Sequence, residues 1–190
     1  MKAEPIDDSY ILMQEAQPGK KPYTIFVVED SDIYRMVLER SLNRMPNADL
    51  SNKPNCAIYS FSSAEGCLEQ LEKKTLPDIV VLDYFLNEEN ANAMNGLELL
   101  KEIKKRSPKT EVLILSAQKD VLITAELFNQ GAAGYIPKEP QGQNRVQNAV
   151  LHSIGKIEKQ RISNRNKNIT IIVLLILGMA VAVILLSTVS

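Results

Sequence analysis

Charge is missing from one end of this chain: Ile169 to Ser190 contain no Asp, Glu, Lys, Arg or His, so all 22 Lys and Arg and all 23 Asp and Glu lie in the first 168 residues. That absence excludes a chain of uniform character, because an uncharged stretch is joined to a charged, globular one. Cysteine is scarce as well. Cys56 and Cys67 are the only two, they stand at no metal-binding spacing and no signal peptide precedes them. This excludes a disulfide scaffold and a zinc module and predicts reduced thiols in a cytosolic compartment. With 45% hydrophobic and 24% charged residues, the chain is neither disordered nor collagen-like, and 190 residues leave room for one ordinary domain with an appendage.

The uncharged run ITIIVLLILGMAVAVILLSTV, residues 169–189, has 17 apolar residues. As a helix it would extend about 31 Å, enough for a bilayer core. Lys156, Lys159, Arg161, Arg165 and Lys167 precede it against a single Glu158, whereas residues 1–155 hold 17 basic and 22 acidic side chains. By the positive-inside bias this predicts a single-pass C-terminal anchor in the cytoplasmic membrane, with residues 1–168 in the cytoplasm. The basic collar then meets anionic lipid headgroups rather than nucleic acid, and Gly178 with Ala182 forms a small-residue pair that would let two such helices approach.

Residues 1–21 are polar and read as a loose arm. Beyond them, β-rich runs alternate with helical patterns: YTIFVVE at 23–29, a helix at 31–45, CAIYSF at 56–61, a helix at 63–73 and DIVVL at 78–82. A helix at 95–106, TEVLILS at 110–116, a helix at 120–130, GYIP at 134–137 and a last helix from 141 complete the series. Val146, Val150, Ile154 and Ile157 give that last helix a face for the sheet. Runs that are apolar on consecutive positions, such as IFVV and IVVL, indicate strands buried on both faces, hence a parallel sheet covered by helices, an α/β doubly wound fold. Ligands of such folds sit beyond the C-terminal ends of the strands.

Those ends carry Glu29 and Asp30, Asp83, Ser116 and Lys138. Each has a plain structural explanation alone: Asp30, Ser31 or Asp32 as a helix cap, Asp83 as a turn cap, Ser116 as a core hydroxyl, Lys138 as a solvated charge. Together they describe chemistry. Three carboxylates in one crevice repel unless a cation intervenes, and three negative charges are balanced by Mg2+ and one protonated lysine. An ionised Asp83 beside such an ion can act as nucleophile toward a phosphoryl group, with Lys138 stabilising the transferring charge and Ser116 bonding a phosphoryl oxygen.

The segments VVEDSD, IVVLDYFL, MNGLELL, LILSAQ and GAAGYIPKE resemble the receiver domains of two-component response regulators over about residues 22–145. The resemblance implies a flavodoxin-like sheet of order 2-1-3-4-5. It also implies phosphorylation of Asp83, Mg2+ held by Glu29, Asp30, Asp83 and the main-chain carbonyl of Phe85, and contact of Ser116 and Lys138 with the phosphoryl group. Tyr135 would be the switch aromatic partnering Ser116. This sequence departs from the family pattern in a longer loop after Asp83, in Asn95 ahead of Gly96, and in Glu139 between Lys138 and Pro140.

The expected organisation is an arm at 1–21, a receiver at 22–145, the end of the last helix and a basic linker at 146–168, and a transmembrane helix at 169–189. The expected function is a membrane-anchored phosphorelay receiver that takes its phosphoryl group from a sensor histidine kinase or a histidine phosphotransfer protein. It would have no DNA-binding output domain and signal by protein contacts, a phosphorylation-dependent homodimer among them. A phosphate sink or relay intermediate, and an unphosphorylated scaffold, are the other readings. An enzyme is not expected: a haloacid-dehalogenase-type phosphatase would place a second Asp where Phe85 stands.

Overall fold

The computed structural model describes residues 21–45, 54–73, 75–86, 93–117, 120–139 and 142–189, with residue 177 and residues 180–189 described in backbone only. The expected arm, save its last residue, and the stretch 87–92 of the loop after Asp83 lie outside these. The chain divides into two units, residues 1–153 and residues 154–190.

The first unit is built on five strands, β1 (Tyr23–Val28), β2 (Cys56–Phe61), β3 (Ile79–Asp83), β4 (Glu111–Ser116) and β5 (Gly134–Pro137). They pair in parallel in the order β2-β1-β3-β4-β5, the order the resemblance implied. β3 and β4 are buried at every position and β1 at all but one. That is why their sequences are apolar on consecutive residues, whereas β2, at an edge, is half-buried throughout.

The helices are α1 (Asp32–Asn43), α2 (Ala64–Glu72), α3 (Gly96–Arg106), α4 (Val121–Asn129) and α5 (Gly142–Val189). Alternation along the strands assigns Phe26, Val28, Val80, Leu82, Val112 and Ile114 to one face, where they form a core with Leu71 of α2, Leu99 and Ile103 of α3 and Leu127 of α4. α1 packs on β1 and β2. α5 is tied to it by Gln147 Nε2, which donates to the Ser41 carbonyl at 2.6 Å, and Val146 and Val150 are fully buried. Ile154 and Ile157, which begin the second unit, are buried as well.

The helix starts are written locally. Ser31, Ser63 and Asp120 each accept a backbone N–H of the first turn, and Asn95 with Glu98 forms a reciprocal capping box. Since Ser31 caps α1, that role does not fall to Asp30.

Among the described residues no helix is long and apolar enough to cross a membrane. The structure therefore gives no support to the expected transmembrane helix at 169–189, part of which, residue 177 and residues from 180 on, lies outside the residues whose side chains are described. The backbone there is helical within α5.

Gly96 is the most closely packed of the described glycines. A Cβ at this position would lie 2.4 Å from the Asp83 carbonyl oxygen and 2.8 Å from the Tyr84 Cα, and these backbone atoms have nowhere to retreat without moving the end of β3. Gly96→Ala should lower the unfolding free energy by about 1–3 kcal/mol, the usual cost of overpacking, read as a fall in the urea midpoint at unchanged slope.

Candidate functional site

Strand register carries five side chains to one end of the sheet. Past the last paired residues, the ladder continues through main-chain bonds: Glu29 N donates to the Phe61 carbonyl at 3.0 Å, Tyr84 N to Leu115 at 2.9 Å and Lys138 N to Ser116 at 2.8 Å. Glu29 and Lys138 are thus held directly by the backbone of the neighbouring strand, and Asp83, paired with Leu115, through the amide that follows it. This rigid placement is what a site on strand ends provides.

The centre is a buried lysine-carboxylate cluster. Lys138 Nζ donates to Asp83 Oδ2 at 2.7 Å and lies 2.8 Å from Glu29 Oε2. Glu29 is 1% exposed and Asp83 2%, so one ammonium serves two carboxylates with little help from water. Asp83 Oδ1 accepts the Phe85 amide at 3.2 Å and Glu29 Oε1 the Ser31 amide at 3.3 Å. Glu29 Oε2 has its ion-pair contact with Lys138 and makes no hydrogen bond beyond it among the described residues.

Burial pushes the Glu29 carboxyl up to about 7, the Asp83 charge adds to this, and Lys138 only partly offsets both. For Lys138, burial disfavours the charged form, but bonding to Asp83 and Glu29 outweighs it and holds the ammonium above its usual value.

Asp30, the most exposed of the acidic three, presents its carboxylate beside the others: one oxygen each from Glu29, Asp30 and Asp83 lie within 4.8 Å of one another. An all-oxygen set of this charge, in which buried Glu29 Oε2 has no partner beyond the Lys138 ion pair among the described residues, fits a hard divalent cation such as Mg2+. Ser116 is 1% exposed at the end of β4. Tyr135, in β5, is half-buried against the core formed with α2, α3 and α4. The structure thus brings Glu29, Asp30, Asp83 and Lys138 together, sets Ser116 at the end of the strand beside Lys138, and gives the Phe85 amide a bond to Asp83.

Three further residues shape the site and were not expected from the sequence. Arg35 Nη1 donates to the Glu29 carbonyl at 2.7 Å while its other nitrogen pairs with Asp32, fixing the acidic turn. Its i,i+3 spacing from Asp32 is the one sequence signal that could have shown it. Glu65 of α2 accepts the Met94 amide at 3.1 Å, pinning the approach to α3. Tyr34 lies with its ring centroid 4.9 Å from Lys138 Nζ.

A doubly wound parallel sheet with an acidic cluster and a lysine at the C-terminal ends of its strands carries these groups where the ligands of α/β domains bind. The family model described as the response regulator receiver domain matches residues 25–150, and the chain belongs to that family. It is 36% identical over 114 residues to the DNA-binding transcriptional regulator NtrC of Escherichia coli (strain K12), which covers 60% of this chain and 21% of that protein. The chain therefore spans about a fifth of the length of the NtrC relatives it matches. Among solved structures, a putative response regulator from Chloroflexus aurantiacus J-10-fl is 28% identical at a TM-score of 0.53, covering 69% of this chain and 99% of that one. The signal receiver domain of a putative Luxo repressor protein from Vibrio parahaemolyticus, at 18% identity and a TM-score of 0.62, covers 75% and 97% and shares the fold.

The raised Glu29 carboxyl has a consequence for stability in the metal-free state. Between about 4.5, its ordinary value, and about 7 the folded chain holds a proton that the unfolded chain has released, so stability falls as pH rises through that window. In excess chelator, the midpoint of thermal unfolding should decline over this range, and a saturating divalent ion, which favours ionised Glu29, should flatten the slope. A chelated protein whose midpoint rises across the window would contradict the assignment.

Proposed function

We propose that this chain is the phosphoacceptor of a two-component phosphorelay, with Asp83 as the residue modified. The observation that carries this reading is the bridging of Asp83 and Glu29 by Lys138 beside Asp30, a constellation at the strand ends with no structural duty that an apolar core would not perform better. A carboxylate oxygen of Asp83 attacks the phosphorus of a phosphohistidine on a sensor kinase or phosphotransfer protein. The new O–P bond forms as the P–N bond breaks, and the imidazole leaves. Lys138 turns from Asp83 Oδ2 to a phosphoryl oxygen, and the Ser116 hydroxyl donates to another. Glu29, Asp30, Asp83 and the Phe85 carbonyl would hold Mg2+, which when bound lowers the charge repulsion between donor and acceptor. In this reading the chain catalyses nothing on other molecules.

Output follows from Ser116 drawing toward the phosphoryl group and Tyr135 filling the space it leaves, which re-forms the surface around β5 for a protein partner or a second copy. The NtrC relatives, named as DNA-binding regulators, favour a second reading in which output reaches DNA. Salt-dependent retention of duplex DNA by the full chain would select it.

The test of the phosphoacceptor is mass-spectrometric location of the label after incubating the full chain with a small phosphodonor and Mg2+. Wild type should carry one phosphoryl group on Asp83, Asp83→Asn none, and excess chelator should suppress labelling. Label that persists in Asp83→Asn would overturn the site.

For location we retain the cytoplasmic-membrane anchor as part of this proposal. Its support is the uncharged sequence 169–189, the basic flank at 156–168 and the exposure of Ile171 (55%), Leu174 (63%) and Met179 (64%), apolar side chains that water disfavours. The intact chain should remain with membranes through carbonate and high-salt washes, and truncation after Lys167 should release it. Extraction of the full chain by salt alone would leave only surface adsorption.

A further inference from the structure

Lys138 has a third neighbour besides its two carboxylates. An ammonium offers three N–H donors. One goes to Asp83 Oδ2 and one side of the group meets Glu29 Oε2. The half-buried ring of Tyr34 lies 4.9 Å from Nζ at its centroid, within the roughly 6 Å over which an aromatic face attracts a cation. The ring is itself held in place. Tyr34 belongs to the first turn of α1, where its amide donates to the Ser31 cap, and its hydroxyl reaches the start of α5, 3.7 Å from where a Cβ on Gly142 would stand.

We infer that Tyr34 is the positioning residue for Lys138: its ring face holds the ammonium over Asp83 and Glu29, covers it from solvent, and thereby sets the rate at which Asp83 takes a phosphoryl group. This rests on the phosphoacceptor reading for its effect on rate, but not for the contact.

The choice of side chain follows from what Lys138 has to do. A lysine left to itself samples many rotamers, so it has to be confined. A further carboxylate would confine it at the cost of more negative charge in a site already overloaded. A neutral oxygen acceptor would compete with the incoming phosphoryl oxygen for the same N–H. A ring face attracts the cation without net charge and with little directional demand. The ammonium can therefore pivot from Asp83 Oδ2 to a phosphoryl oxygen while remaining in contact.

The test uses the full chain with acetyl phosphate and Mg2+, comparing Tyr34→Phe with Tyr34→Leu. The Phe variant keeps the ring and should label at a rate within about twofold of wild type, whereas the Leu variant should be slower by about 3- to 10-fold at saturating donor, with the donor KM unchanged. The direct readout is magnetic resonance of the Lys138 ε-methylene, assigned by its loss in Lys138→Met. Ring current should shift it upfield in wild type and Tyr34→Phe and not in Tyr34→Leu. Should the Leu variant fail to fold, Tyr34→Met, an unbranched apolar replacement without a ring face, takes its place. Wild-type labelling by the ringless variant, or an unshifted ε-methylene in wild type, overturns the inference. Absence of labelling in wild type itself would instead defeat the phosphoacceptor reading, and the shift comparison would still decide whether Tyr34 holds Lys138.

Discussion

Glu29 and Asp83 are both buried and share one ammonium, so the C-terminal edge of the sheet is electrostatically overdrawn by design of the sequence. Removing Lys138 would leave two carboxylates facing each other without compensation, an imbalance on the order of 3–5 kcal/mol for a broken buried pair. A core of this size gains nothing from such an arrangement, since apolar side chains of equal volume would pack as well or better. In the proposed reading, the cluster is a place where added cation and phosphoryl charge have been allowed for. The raised Glu29 carboxyl is what burial beside the Asp83 charge produces.

The rest of the domain holds these charges at fixed separation. β1, β3 and β4 are almost wholly buried and locked in register, which sets the distance between Glu29 and Asp83. Gly96 then lets α3 press against the Asp83 and Tyr84 backbone, and the Gly96 amide donates to the Tyr84 carbonyl at 3.2 Å. Arg35 ties the Glu29 carbonyl to α1. Each clamp acts on main chain rather than on the reacting groups, so the side chains keep their freedom to exchange partners while their origins do not move.

Much of this was legible in the sequence because the relevant signals are local. Consecutive apolar runs gave the central strands, and β2 and β5 matched to the residue, while β3 runs one residue later, from Ile79 to Asp83, with Asp78 bonded to Thr24 through both its amide and its carboxylate just ahead of it. Strand-end polar residues gave Glu29, Asp30, Asp83, Ser116 and Lys138. Tyr34 and Glu65 were not legible, because their contacts depend on side-chain direction across elements that no local period encodes, and Arg35 had only its i,i+3 spacing from Asp32 to mark it. The uncharged run at 169–189 is the opposite case: a strong sequence signal for which the described residues offer no spanning helix.

In the proposed reading, the partition between rigid main chain and mobile side chains also determines where a signal can emerge. Glu29 and Asp83 lie on the buried centre of the sheet and cannot report outward. Ser116 ends β4 and Lys138 directly follows β5, the two strands nearest one edge, and β5 is that edge. Of the residues around the site, Tyr135 alone combines a place on β5 with partial exposure and contact to the core shared by α4. A change in bonding at Asp83 that moves Ser116 therefore has its shortest route to the surface through β5. Shifting a population from 10:90 to 90:10 takes about 2.6 kcal/mol of differential bonding, within the range of one or two charge-assisted hydrogen bonds to a phosphoryl oxygen. Neither the sheet nor its register has to change for that amount to appear at the edge.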